Sequence, residues 1–401
     1  MKASLFMAII PLAAMSATDI TVDSVVQRWP WNNKVDITYT VTGGQDLTSE
    51  PPQYKRIVFT TVLNGTTYTI DGTTYVGASA NEGTHTVTWT LPSGVKSNDC
   101  TMTAAVYAAD APSGDDYMII DLTKLSDNVT YEGLLATQDA SNERYNTATY
   151  KKDKLVLRKV PAGGPYPTGD SVNFGSGGDA NTARTWNTTR DYYIGVFPVT
   201  QYQYKKLCGS YSAAIASGDL LPVENVSWVG LRTDIAPEAS IPTVESNSGT
   251  FLQRLNYITG NKFGFDLPTE VMLEIAGRAG ATTAFFWGND PDASYVVNGE
   301  SAPVAVGSCK SNAWGIFDII GNVFYWCRDA YDGGSNLNVP DAFTPHSIIT
   351  GGKSNFRRFR AGAVWSHNIL SEPLRFAMSK RNGSAGTDAW ARGFRVAMIV
   401  F

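Results

Sequence analysis

The chain of 401 residues is poor in the residues that most often hold metals. It has three histidines, His85, His346 and His367, and four cysteines, Cys100, Cys208, Cys309 and Cys327. No two cysteines stand at CxxC spacing, which excludes zinc-ribbon and thioredoxin-type chemistry. Charged residues make up only 17% of the chain and their balance is acidic, at −5, so there is no general basic face for nucleic acid. Beyond residue 17 there is no apolar run long enough to span a bilayer, roughly 18 residues, so no transmembrane span is expected.

What is present points to export and to β structure. Residues 1–17, MKASLFMAIIPLAAMSA, read as a signal peptide: Lys2 is the positive start, Leu5 to Met15 the short apolar run, and Ser16-Ala17 the small residues before a cut. Residues 18–140 alternate with period two. Val35, Ile37, Tyr39 and Val41 share one face, as do Val87, Trp89 and Leu91, and Met102, Ala104 and Val106. Turn signals such as TGG, NGT and PSG separate these runs, which predicts an all-β, immunoglobulin-like sandwich. His85 falls in one strand and reads as a solvated strand residue.

Residues 141–153 read as a linker, and residues 154–401 as a loop-rich α+β domain. The sequence predicts a helix capped by Thr200, a second over Phe251 to Ile258, and a third opened by Pro268-Thr269 and closed by Gly280. Glu270 and Glu274 share a face of the third helix. A carboxylate pair suggests acid–base chemistry, but the first turn favours an anion and Glu274 can pair with Arg278, so their expected role is structural.

The second region resembles the formylglycine-generating enzyme family, the sulfatase-modifying factor domain, a variant of the C-type lectin-like fold. The resemblance rests on YYIGVFPVTQYQY, LPVENVSW, LPTEVMLEIAGRAG, FFWGND, SNAWGIFDIIGNVFYWCRD, LRFA and the terminal GFRVAM, in that order. The family enzymes oxidise a substrate cysteine with oxygen and a copper ion held by two cysteine thiolates just after an Arg-Gly-Gly-Ser turn. That turn corresponds to Arg360-Ala361-Gly362-Ala363 here. Counting on to Arg375 places Ser366 and Ser371 at the two cysteine positions. A hydroxyl stays protonated at neutral pH and is a hard donor, whereas copper(I) wants soft thiolates. The resemblance therefore implies a domain without its usual catalytic pair. A sister branch with non-haem iron needs a histidine cluster, which His346 and His367 do not supply. The family's calcium pattern is matched by Asp318 with the carbonyls of Gly321 and Val323, but Tyr325 stands where a glutamate usually follows.

The expected function is an exported, non-catalytic ligand-binding protein with no required cofactor, calcium being the one candidate. Its partner is expected to be an extracellular protein or glycan. The candidate surface is Phe356, Arg358, Phe359, Trp365, Ser366, His367, Asn368, Ser371, Arg381, Asn382, Asp388 and Trp390. Trp and Arg are frequent contact anchors. Residues 351–401 carry nine Lys or Arg against Glu372 and Asp388, a net +7 that leaves −12 for the rest and suggests an anionic partner. Irregular residues between Arg357 and Arg392, inside an otherwise regular family frame, also fit the hypervariable target proteins of diversity-generating retroelements. Two other functions compete. One is an oxidoreductase with a non-standard metal site, or a Ser366–His367–Ser371 nucleophile and base. The other is a structural surface-layer protein.

Overall fold

The computed structural model describes residues 19–28, 33–43, 55–70, 75–76, 82–92, 101–108, 114–134, 143–169, 183–232, 249–331, 339–345, 356–360 and 364–400. The signal-like segment, Cys100, His346 and the turn residues 361–363 lie outside them. The chain divides into two compact units.

The first unit is an all-β sandwich. Its strands are β1 (Asp19–Gln27), β2 (Lys34–Thr42), β3 (Lys55–Leu63), β4 (Thr66–Ile70), β5 (Tyr75–Val76), β6 (Gly83–Thr90) and β7 (Met102–Ala108). They form antiparallel sheets in the orders β1-β2-β6-β5 and β4-β3-β7. The alternation read from sequence is the pleat itself. Val35, Ile37, Tyr39, Val41, Val87, Trp89 and Leu91 are all buried, and they meet Ile57, Phe59 and Ile70 of the facing sheet in one core. Met102 joins that core, whereas Ala104 and Val106 are only partly buried against it. His85 packs against the ring of Tyr39 at 5.6 Å.

The second unit starts earlier than the sequence reading placed it. Its elements are β8 (Tyr117–Asp121), β9 (Val129–Glu132), α1 (Ala148–Lys152), β10 (Lys154–Val160), β11 (Gly163–Thr168), β12 (Arg184–Thr188), β13 (Tyr192–Gly195), α2 (Gln201–Cys208), α3 (Trp228–Arg232), α4 (Phe251–Ile258), α5 (Glu270–Arg278), β14 (Phe324–Ala330), β15 (Phe356–Arg360), β16 (Asn382–Ala385), β17 (Arg392–Gly393) and β18 (Ala397–Ile399). A five-stranded sheet runs β18-β13-β10-β8-β9, and a four-stranded sheet runs β16-β15-β14-β17. The hairpin β8–β9 was expected to belong to the sandwich. It pairs instead with β10, Ile119 opposite Val156. Residues 141–153 were expected to be a linker. The described part is packed: Arg144 and Tyr145 are fully buried, and Tyr150 meets the Tyr145 ring at 5.0 Å. Strand alternation alone cannot tell which sheet a hairpin joins, and that is why the boundary moved.

The strands β8, β10 and β13 of the five-stranded sheet are buried on both faces, which explains their apolar runs, whereas the edge strand β9 is largely exposed. Met118, Ile120, Leu155, Leu157 and Tyr193 face a core completed by Trp228, Trp326, Phe394 and the inner side of α4. Val160, Tyr192 and Ile194 face the other core, which contains α5. The predicted helices form where their caps stand. Thr200 and Thr250 each build a capping box with the glutamine three residues on. Thr269 caps α5 through the Met272 N–H. That helix closes on Ala279, at φ 47°, one residue before the Gly280 the sequence suggested.

All nine residues of α5 are buried, Glu270 and Glu274 included. Glu270 accepts from Arg360 at 2.9 Å and from both sides of Arg381, with Arg358 3.5 Å away. Glu274 accepts from Arg278 at 2.9 Å, as the sequence suggested, and also from Arg360 at 2.6 Å and the Gly169 N–H at 2.7 Å. Burial alone would raise both carboxyls. The surrounding guanidinium groups outweigh it and hold both below their usual range. The cluster ties α5 to β15, to the residue before β16 and to the loop at Gly169. It also corrects the candidate surface: Arg358 and Arg381 are fully buried scaffold residues, and Phe359 is buried between Phe324 and Trp326. Five of the nine basic residues of 351–401 are internal as well: Arg357, Arg358, Arg360, Arg381 and Arg395 are all buried. The attraction for an anionic partner is therefore weaker than the sequence count suggests.

Ile120→Ala is expected to cost about 2–5 kcal/mol and to speed amide exchange in β10 and β13. Faster exchange in β2 and β6 instead would show that the hairpin supports the sandwich. Glu270→Gln strips one charge from a buried cluster and is expected to cost about 3–5 kcal/mol in unfolding at pH 7. Because the folded carboxyl sits below its ordinary 4.5, its stabilisation is complete above that value and is lost as pH falls. The melting temperature of the native chain should accordingly drop in acid, and that of Glu270→Gln should drop less steeply. Equal curves would contradict the assignment.

Candidate functional site

The loop after β15 carries most of the remaining candidates, and its neighbours fix it through main-chain bonds. Trp365 is buried. Its N–H donates to the Asn322 carbonyl at 3.2 Å, and its carbonyl accepts from the Glu300 N–H at 2.8 Å. The His367 carbonyl accepts from the Gly299 N–H at 2.9 Å, and the Ile369 N–H donates to the Asn298 side chain at 2.7 Å. The segment Asn298-Gly299-Glu300 was missed at the sequence level. Its signal was the Asn-Gly turn, with Gly299 at φ 69°.

Within the loop the polar side chains turn on one another. The His367 Nδ1 accepts from the Val364 N–H at 3.0 Å. Burial and the charge of Arg375 push its pKa down. The Asn368 side chain accepts from the Leu370 N–H at 2.9 Å, and the Ser371 hydroxyl donates to the Asn368 carbonyl at 3.3 Å. Ser366 is exposed. Among the described residues no hydrogen bond joins His367 to Ser366 or Ser371, so the imagined nucleophile and base are not assembled.

Trp390 completes the surface. It is 55% exposed, at the tip of a turn before β17, with its ring centroid 6.1 Å from that of Trp365. Asp388 holds the turn by accepting from the Ser384 hydroxyl, and Arg392 donates to the Trp390 carbonyl at 2.8 Å. Leu370 and Leu374, 67% and 50% exposed, add apolar area that the sequence reading did not select. Phe356 and Asn382 lie half-buried on the neighbouring strands β15 and β16. The structure thus gathers Trp365, Ser366, His367, Asn368 and Ser371 on one loop with the Trp390 ring beside Trp365. It withdraws Arg358, Phe359 and Arg381 from the surface, and the Trp365 side chain, buried in the core, with them.

Sulfur is present elsewhere, in forms that disfavour thiolate. Cys208, Cys309 and Cys327 are free thiols. Burial pushes Cys208 up to about 11 and Cys309 up to about 12, and raises Cys327 as well. Among the described residues no three His, Cys, Asp or Glu side chains converge as a metal site, and no helix is long and apolar enough to cross a membrane.

Two further family signposts take on physical meaning. Gly393 sits against the Val223 carbonyl, where a Cβ would lie within 2.1 Å of that oxygen. Arg395 is buried, and its guanidinium donates to the carbonyls of Gly195 at 3.0 Å, Val196 at 3.1 Å and Phe317.

The chaperone protein LppX of Paenibacillus barcinonensis is 27% identical, over 45% of this chain and 72% of its own. The serine/threonine-protein kinase pkn1 of Chlamydia caviae is 32% identical over 33% of this chain, which spans only 21% of the kinase. Among solved structures, PvdO from Pseudomonas aeruginosa (TM-score 0.47, 20% identity) covers 61% of this chain and 94% of its own. Treponema denticola variable protein 1 (TM-score 0.46, 22% identity) covers 61% and 95%. Residues 152–400 match the sulfatase-modifying factor enzyme 1-like domain, and the chain belongs to that family.

Proposed function

We propose that the protein is an exported, non-catalytic binding module whose ligand, a protein or glycan, docks on the exposed Trp390 ring and the loop surface above the buried Trp365. The observation that carries this is the exposed Trp390 ring standing beside the buried Trp365, on a loop whose polar groups are already tied into its own turns. Large rigid aromatic rings give contact area at little entropic cost, and an aromatic face stacks on sugar rings as readily as on a protein side chain. A redox role fits poorly. Ser366 and Ser371 stand at the positions matched to the family's cysteine pair, and the described thiols, Cys208, Cys309 and Cys327, are held protonated by burial. The sequence irregularity between Arg357 and Arg392 supports the narrower reading of a retroelement-diversified target, for which a near-copy of the gene's 3′ end beside a reverse transcriptase gene is the test. Export rests on residues 1–17, and mass measurement of the mature N-terminus checks it.

The purified chain is expected to hold neither copper nor iron in stoichiometric amount and to leave a cysteine-containing sulfatase peptide unoxidised. Stoichiometric metal or formylglycine would overturn the reading. Against the best hit of a glycan and protein array, Trp390→Ala should weaken binding at least about tenfold, a loss of about 1.4 kcal/mol. Because Arg357, Arg358, Arg360, Arg381 and Arg395 are internal and the exposed Arg375 is paired with Glu372, the affinity should change by less than about threefold over a tenfold range of salt. A steep salt dependence would move the site to a charged surface.

A further inference from the structure

The turn 318–323 is the place where the resemblance implies calcium, and its donors do not fit that ion. Calcium takes six to eight oxygens at about 2.3–2.6 Å. Asp318 is the one carboxylate among the candidate ligands. One of its oxygens accepts from the Gly307 N–H at 2.6 Å, while the other is buried with no hydrogen-bond partner. The Gly321 carbonyl accepts from the Val323 N–H at 2.8 Å and from the Tyr325 hydroxyl at 3.2 Å. The same hydroxyl donates to the Asp318 carbonyl. Two fixed cations, Arg395 and Lys151, act on the Asp318 carboxylate, and the Arg395 guanidinium lies 4.8 Å from the Tyr325 ring centroid. A divalent ion would add charge beside two buried cations and would have to displace the hydroxyl.

We propose that Tyr325 replaces the cation at this turn: its hydroxyl, held on the Asp318 and Gly321 carbonyls, fixes the loop, and the fold needs no calcium. The turn requires such a pin. Asp318, Gly321 and Asn322 all have positive φ, at 49°, 81° and 65°, a strained region for the two non-glycine residues. On the far side, the Asn322 side chain bonds the Val304 N–H and carbonyl at 3.1 Å each. The Asn322 carbonyl is also the one that receives the Trp365 N–H. The hydroxyl therefore supports the floor of the aromatic surface without metal, and a chelator does not unfold that floor.

The test uses the full chain and thermal melting, so it stands whether or not a ligand is found. The wild-type melting temperature is expected to be the same in EGTA and in millimolar calcium. Tyr325→Phe keeps the ring but takes the hydroxyl from the Asp318 carbonyl and leaves the Gly321 carbonyl only the Val323 N–H, and should melt about 2–4 °C lower per kcal/mol lost. Tyr325→Glu restores the family's carboxylate. It should melt lower than wild type in EGTA and recover on adding calcium, with calcium binding visible by calorimetry. A wild-type melting temperature that rises with calcium, or calcium retained by the wild type after dialysis, overturns the proposal. So does a Tyr325→Phe chain that melts like the wild type, or a Tyr325→Glu chain that ignores calcium. Should either variant fail to fold, the wild-type measurement still decides.

Discussion

The second unit is organised around two carboxylates that have no access to water. Glu270 and Glu274 lie one turn apart on a helix buried on every side, and four guanidinium groups converge on them. Taking such charges out of water costs several kcal/mol each, and only close, multiply bonded geometry offsets it. That requirement is what makes the arrangement specific. Arg360 must reach both glutamates, so β15 has one permitted height against α5. Arg381 must lie flat on Glu270, which places the chain entering β16. An apolar core of equal volume would tolerate a shift of register more readily than this one does.

A scaffold held in this way can leave its loops free to vary. The surface around Trp365 and Trp390 takes its position from main-chain bonds to Asn322, Gly299 and Glu300 and from the Asn298 side chain. The side chains of Val364, Trp365 and Ile369 anchor it in the core as well, so the residues left free to vary are the exposed ones between and after them. On the proposed register, hydroxyls stand where a sulfatase-modifying enzyme carries its oxygen chemistry, and the described thiols are kept protonated by burial. On that reading fold and chemistry have separated: the framework that presents the loop persists without the group that would grip a soft metal.

Much of this was legible in the sequence where a local rule decides the outcome. Thr200, Thr269 and the amphipathic run from Phe251 to Ile258 set three helices, and the strict alternation around Val35 and Val87 set the sandwich core. The pairing of Glu274 with Arg278 followed from their spacing. Long-range partners were not legible. Arg358 and Arg381 look like surface anchors because arginine is rarely buried alone, and nothing nearby in sequence announces that Glu270 lies 88 and 111 residues back, waiting for them. The hairpin at Tyr117 has the same composition as the sandwich strands, so its membership depends on β10, which no local pattern reveals. Exposed Leu370 and Leu374 were passed over because an isolated leucine in a sequence reads as core.

That hairpin reaches beyond what a family comparison can see. The matched domain starts at residue 152, yet β8 covers the flank of β10, and β9 in turn covers β8. A chain trimmed to the match would bare a row of unpaired amides and carbonyls along β10, between Leu155 and Leu157 on one side and Val156 on the other. Naked sheet borders of this kind recruit strands from other molecules, so the shortened protein would be adhesive in a way the intact one is not.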